Sequence, residues 1–134
     1  MSISIIENET TKFIKLKRMY KPGLHLISEF KVVDPEVLKN SQAMKQVLDD
    51  LIQEHKLSKV GEVYHQFPDS GYTAMVCLTE SHISIHTWPE FNQVTFDVFL
   101  SNFMNYNNEI VTNIHNSVLA FLNATDVRLT QLNR

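Results

Sequence analysis

The chain has 134 residues, 43% hydrophobic and 20% charged, which suffices for one domain with a buried core and is too short for two. A net charge of -3 with no basic block argues against a nucleic-acid partner, because phosphate binding needs clustered Lys and Arg. No apolar run is long enough to span a bilayer, the first residues lack a signal-peptide core, and the single cysteine, Cys77, excludes an internal disulfide; a soluble cytoplasmic protein is expected.

Residues 1–20 read as an N-terminal extension and 21–134 as a single domain. Within the extension, Ser2–Ile6 suits a short strand. Lys12–Arg18 mixes charge with Phe13, Ile14 and Leu16, as an edge strand does when it resists sheet-to-sheet association. Pro22-Gly23 interrupts the chain. Gly23–Val33 then predicts a strand with Leu24, Leu26 and Phe30 on one face and His25 on the other. Asp34-Pro35 is a helix start: the aspartate accepts free backbone N–H groups, and proline fits the first helical position. Val37, Leu38, Met44, Val47, Leu48, Leu51 and Ile52 recur at helical spacing, which predicts one helix from Pro35 to His55. Val60–Phe67 reads as a strand, Asp69-Ser70-Gly71 as a turn, and Tyr72–Thr79 as an apolar strand covered on both faces. Gln93–Leu100 alternates, with Val94, Phe96, Val98 and Leu100 facing one way. Asn102–Asn108 reads as a loop. Asn107 or Asn108 then caps a second helix to Asn123, with Ile110, Val111, Ile114, Val118, Phe121 and Leu122 inward. Thr125–Leu132 closes as a short strand. This order predicts an α+β two-layer sandwich, with helices packed on one face of an antiparallel sheet.

The densest chemistry lies in Glu80-Ser81-His82-Ile83-Ser84-Ile85-His86-Thr87-Trp88-Pro89-Glu90. Ile83 and Ile85 alternate with His82, Ser84 and His86, so a strand here buries the isoleucines and lines the polar three along the other face. Pro89 cannot donate to a sheet ladder and stops the strand near Trp88. A row of imidazoles and hydroxyls suits proton transfer. Each residue also has a plainer account: Glu80-Ser81 a turn before a strand, Phe67 and Trp88 core, Thr73 an ordinary strand threonine. His82, His86 and Glu90 are zinc-ligand types, but no complete ligand set stands at diagnostic spacing, and no metal is expected.

The run Leu78-Thr79-Glu80-Ser81-His82-Ile83-Ser84-Ile85-His86-Thr87-Trp88-Pro89-Glu90 resembles the processing-site motif of the short prokaryotic S-adenosylmethionine decarboxylases. The resemblance extends through Gly23–Phe30, His65-Gln66-Phe67, Gly71-Tyr72-Thr73 and Asp97-Val98-Phe99, and covers Pro22–Leu132. It implies an S-adenosylmethionine decarboxylase-like fold and a proenzyme that cuts itself between Glu80 and Ser81, into a 1–80 chain and an 81–134 chain. The Ser81 hydroxyl attacks the Glu80 carbonyl and turns the amide into an ester; elimination and hydrolysis free Glu80 and leave Ser81 as an N-terminal pyruvoyl group. That group is the implied cofactor, whose ketone forms a Schiff base with the substrate amine as carbon dioxide leaves. The resemblance assigns cleavage to His86 and Thr73, the latter a serine in most of the family. It sets Phe67 and Trp88 near the adenine and Glu90 near the substrate.

Ser101 and Asn102 stand where the family carries a cysteine and a glycine. Ser101, or a water it holds, therefore occupies the proton-donor position, although a hydroxyl is a far weaker acid than a thiol titrating near ~8.5. Cys77 shares a strand face with Thr73 but lies ~13 Å further along it. The implied activity is decarboxylation of S-adenosylmethionine for spermidine and polyamine synthesis, by a homodimer of cleaved protomers with its sites at the protomer interface. Two further readings stay open. Asp69, in the turn between Phe67 and Thr73, pairs with the cationic end of ornithine or arginine, or simply forms the turn. With Ser101 in place of the cysteine, the chain is alternatively a non-catalytic relative that binds a ligand or an active partner.

Overall fold

The computed structural model describes residues 8–12 and 20–134. The Ser2–Ile6 strand lies outside them, as does the Lys12–Arg18 stretch beyond Lys12. Residues 9–12 form a helical turn in which Asn8 Oδ1 accepts the Thr11 N–H at 2.8 Å.

The strands are β1 (Leu24–Val32), β2 (Lys59–Gln66), β3 (Tyr72–Leu78), β4 (Ser81–Trp88), β5 (Gln93–Leu100) and β6 (Ala124–Asn133). They form one six-stranded sheet in the order β2-β3-β4-β5-β1-β6, with every pairing antiparallel. Two helices, α1 (Ser41–Glu54) and α2 (Asn108–Leu122), cover one face. Alternation decides which face. Leu26 and Phe30 of β1, Ala74 and Val76 of β3, Ile83 and Ile85 of β4, and Phe96 and Val98 of β5 are buried with Met44 and Leu48 of α1 and Ile114 and Val118 of α2. The predicted α+β two-layer sandwich is the observed architecture.

Four expectations change in detail. The single Pro35–His55 helix is two elements. Asp34 accepts the Glu36 N–H, but Pro35–Lys39 is only a 3-10 segment. Asn40 then leaves the helical region (φ -118°, ψ 85°), and its side chain accepts the Ala43 N–H at 2.9 Å, starting α1 afresh. A short amide that competes for backbone groups favours a cap over a helix interior. Second, β3 is covered on one face: Tyr72, Ala74, Val76 and Leu78 are buried, whereas Met75 is 41% exposed and Cys77 is also exposed. Third, Phe121 is 42% exposed. It stands about 100° around the helix from buried Leu122, at the edge of the apolar stripe. Fourth, β6 is a full edge strand, pairing with β1 from Leu24↔Asn133 to Val32↔Ala124.

The uncovered face carries the polar alternates of each strand. One row crosses the sheet as His65, Thr73, His86, Thr95 and Glu29. A parallel row crosses as Gly61, Cys77, His82, Phe99, His25 and Leu132.

Candidate active site

The β3–β4 hairpin closes with Leu78 opposite Ser81, leaving Thr79 and Glu80 as the turn. Ser81 follows with φ 150°, a backbone conformation that residues with a Cβ rarely adopt. Holding a non-glycine residue there costs on the order of 1–3 kcal/mol, and such strain persists only where the surroundings enforce it. Here they do. The Glu80 carbonyl accepts the Ser101 N–H at 2.7 Å, and Ser81 is hydrogen-bonded into the ladder between Leu78 and Leu100.

The Ser101 peptide is fixed in turn by a buried asparagine cluster. Asn107 Nδ2 donates to the Ser101 carbonyl at 2.8 Å and to Glu80 Oε2 at 3.3 Å. Asn102 Oδ1 accepts the Asn107 N–H at 2.7 Å, while Asn102 Nδ2 donates to the Pro22 carbonyl at 3.0 Å and to Asn108 Oδ1 at 2.8 Å. Asn107 thus precedes α2 without capping it by its side chain, which is committed to Glu80 and Ser101 instead.

The Ser81 hydroxyl lies 3.1 Å from Nδ1 of half-buried His82. Beyond it stands His25, 4% exposed, its ring edge-on to His82 with centroids 5.8 Å apart. His25 Nε2 is 3.8 Å from Asp97 Oδ2, and His25 Nδ1 is 3.4 Å from an Arg134 guanidinium nitrogen. Burial pushes the His25 pKa below its ordinary value, more than Asp97 raises it. Cys77, set aside above for its distance from Thr73, is directly across the ladder from His82.

The opposite end of β4 holds the other residues. Thr73 Oγ1 is hydrogen-bonded to His86 Nδ1, its cross-strand neighbour. Trp88 continues that face, its ring 6.2 Å from His86, and is 38% exposed; Phe67 is exposed and stands edge-on to His65 at 4.6 Å. Asp69, at φ 52°, and Glu90, in the 3-10 turn Pro89–Phe91, share a shallow groove of about 300 Å³ with Pro35 and Lys39.

Within one chain the structure therefore brings Ser81, Glu80 and Ser101 together at one end and Thr73, His86 and Trp88 at the other. Five residues of extended strand separate Ser81 from His86 by about 16 Å. Sequence reasoning missed His25, Asp97 and Asn107. For His25 the signal was a histidine out of phase with the apolar alternation of β1. For Asn107 only the asparagine-rich composition hinted at a cluster. Among the described residues no group of three His, Cys, Asp or Glu side chains is gathered to hold a metal ion, and no helix is long and apolar enough to cross a membrane.

Residues 24–134 match the family model described as S-adenosylmethionine decarboxylase. An S-adenosylmethionine decarboxylase proenzyme of Archaeoglobus fulgidus is 39% identical over 77 residues, spanning 58% of this chain and 69% of that protein. The namesake proenzyme of Picrophilus torridus is 38% identical over 77 residues, and the match spans 59% of it. The crystal structure of the adenosylmethionine decarboxylase from Aquifex aeolicus superposes with a TM-score of 0.75 at 27% identity, covering 86% of this chain and 92% of that one. The chain belongs to the S-adenosylmethionine decarboxylase family.

Proposed function

We propose that the chain is a pyruvoyl-dependent S-adenosylmethionine decarboxylase of polyamine synthesis, maturing by self-cleavage between Glu80 and Ser81. One observation carries the reading. The Glu80 carbonyl is held at 2.7 Å by the Ser101 N–H, while the next residue, Ser81, sits in a strained conformation and carries the hydroxyl that would attack that carbonyl. A carbonyl already facing a fixed N–H donor is prepared for the negative charge that builds up during attack. The strain is relieved when the bond opens, which lowers the barrier rather than the binding. The same features suit the residue from which the family's prosthetic group is made. That pyruvoyl group supplies an electrophilic carbonyl and an electron sink for loss of carbon dioxide.

The chain's own residues do the rest. Ser101 is kept beside the cleaved bond by its N–H and serves as proton donor, directly or through water. Phe67 and Trp88 flank the adenine, Glu90 takes a ribose hydroxyl or the positive charge, and Asp69 sits in the same groove as Glu90. Thr73 fixes the ring of His86, which assists processing.

Because His86 is about 16 Å from Ser81 in one chain, the complete site needs a second copy. A homodimer that lays the uncovered face of one protomer on that of another in opposite directions brings the His86 end of one to the Ser81 end of its partner. The same contact covers Met75 and Cys77, whose strand reads as covered on both faces. Sedimentation tests it: a monomer at working concentration removes the shared site.

Intact mass tests the whole reading. The expected result is two fragments split before Ser81, the second lighter than its encoded mass through the conversion of serine to pyruvoyl. Labelled-carboxyl S-adenosylmethionine, ornithine and arginine then identify the substrate, and carbon dioxide from either amino acid alone replaces the substrate assigned here. One uncut chain after prolonged incubation, indistinguishable from Ser81→Ala, overturns the enzyme.

A further inference from the structure

The contact between Ser81 and His82 has no part in the reading above, which gives the work of cleavage to His86 and Thr73. We propose that His82 is the base that starts self-cleavage, acting in the same chain as Ser81. The proposal rests on cleavage occurring between Glu80 and Ser81.

Three observations carry it. First, His82 Nδ1, at 3.1 Å, is the hydrogen-bond partner of the Ser81 hydroxyl among the described residues. Hydrogen-bond reach to the proton it removes is the first requirement of a general base. Second, within one chain the other candidate imidazole is out of reach: His86 Nδ1 is engaged by Thr73 and lies about 16 Å down the strand, so His86 meets Ser81 only across the dimer proposed above. Third, the far side of His82 packs edge-on against His25, whose own orientation is fixed by its neighbours. Arginine can only donate, so the Arg134 guanidinium at 3.4 Å makes His25 Nδ1 the acceptor and puts the His25 proton on Nε2. That N–H is directed to Asp97 at 3.8 Å and is a buried donor with no nearer partner. Burial lowers the His25 pKa from its ordinary value, so a neutral ring whose remaining N–H faces Asp97 stands beside His82. The titratable and charged groups around His82 are thus Cys77 from β3, His25 from β1, Asp97 from β5 and Arg134 from the end of β6.

The step balances without any added reagent. His82 Nδ1 takes the Ser81 Oγ proton as Oγ bonds to the Glu80 carbonyl carbon. The resulting oxyanion rests on the Ser101 N–H. The carbon–nitrogen bond then breaks, and His82 returns the proton to the Ser81 nitrogen. An amide has become an ester, and His82 is back in its starting state.

The test follows the full chain made in a cell-free translation system, sampled over time by intact mass with and without hydroxylamine, which cuts an ester and leaves an amide. His82→Gln is expected to slow cleavage about 100-fold or more. It should also leave an amide that hydroxylamine does not cut, whereas a block after the first step leaves a cuttable ester. A folded His82→Gln or His82→Asn chain, judged by near-UV circular dichroism, that cleaves within threefold of the parent overturns the proposal. Release of the 81–134 fragment by hydroxylamine at the parental rate overturns it equally. Should both variants fail to fold, the parent decides: hydroxylamine-trapped ester must form more slowly as the pH falls and imidazole takes up a proton, and an equal rate at pH 5 and pH 8 overturns it. A parent that never cleaves removes the self-cleavage reading itself, a result distinct from a cleaving parent with a cleaving His82 variant.

Discussion

Gly23→Ala is the sharpest probe of the Glu80 carbonyl. A Cβ added at Gly23 would stand 2.2 Å from the Leu100 oxygen, 3.0 Å from Ser101 Cα and 3.1 Å from the Leu100 carbonyl carbon. All three are backbone atoms and cannot swing aside. Ordinary contact begins near 3.4 Å, so the two segments must part by roughly 1.2 Å. Gly23 cannot retreat easily, because its N–H donates to the Arg134 carbonyl at 2.7 Å and its own carbonyl accepts the Arg134 N–H at 2.9 Å. The Leu100–Ser101 backbone therefore yields, and with it the N–H that faces Glu80. Loss of one donor from such a site slows reaction about 100- to 1000-fold, and overpacking costs about 1–3 kcal/mol of stability. Cleavage is read by intact mass over time. Stability is read by urea unfolding of Ser81→Ala chains with and without Gly23→Ala, so that only uncut chains are compared. If stability falls as expected while cleavage keeps its parental rate, the Ser101 N–H is not holding the developing charge.

Other substitutions test the supports around this site. Asn107→Leu removes the donor shared by the Glu80 carboxylate and the Ser101 carbonyl; a loss of about 1–3 kcal/mol in the Ser81→Ala background and slower cleavage in the parent are expected, by the same two assays. Thr87→Val removes a buried hydroxyl that accepts the Tyr72 N–H at 2.9 Å and donates to the Leu38 carbonyl at 2.8 Å; urea midpoints should report a loss of about 1–3 kcal/mol. Acid should destabilise the fold through His115 and His25, whose pKa values burial lowers from the ordinary 6.5. A histidine with a lowered folded pKa binds more protons when unfolded, so its stabilisation is whole above pH 6.5 and is lost as pH falls below it. His115→Gln should flatten that acid limb in urea midpoints measured across pH, and an unchanged limb would exclude His115 as its source.

The layers were legible in the sequence because apolar alternation in β1, β4 and β5, and helical spacing in α1 and α2, each select a single buried face. The break at Asn40 was not, since helical periodicity continues through it and only the local amide cap ends the 3-10 turn. The two-sided burial read from Tyr72–Thr79 reflects composition, which cannot tell a helix layer from a second copy as the cover. At the site, the family resemblance singled out Glu80, Ser81 and His86, whereas alternation alone gave a polar strand face of His82, Ser84 and His86. The Ser101 N–H, the strained φ of Ser81 and the Asn107 bridge come from separated segments meeting, and no local pattern encodes them.

The sheet order would let the chain undergo the proposed cut before Ser81 and stay one protein. The 1–80 part supplies β1, β2, β3 and α1; the 81–134 part supplies β4, β5, β6 and α2. In space these are interleaved: β4 pairs with β3, and β1 lies between β5 and β6. Three of the five strand pairings therefore join the two parts, and neither part can leave without stripping the others of their ladders. The Glu80–Ser81 bond lies at the tip of a hairpin whose strands are held along their lengths, so the proposed cut would relax φ at Ser81 and free a new chain end without unzipping β3 from β4. The expected outcome is that both fragments elute together in native size exclusion and separate only in denaturant, with an unfolding midpoint close to that of uncut Ser81→Ala. Fragments that part under native conditions would mean that the Glu80–Ser81 bond itself holds the sheet together, and a chain built that way could not tolerate the cut.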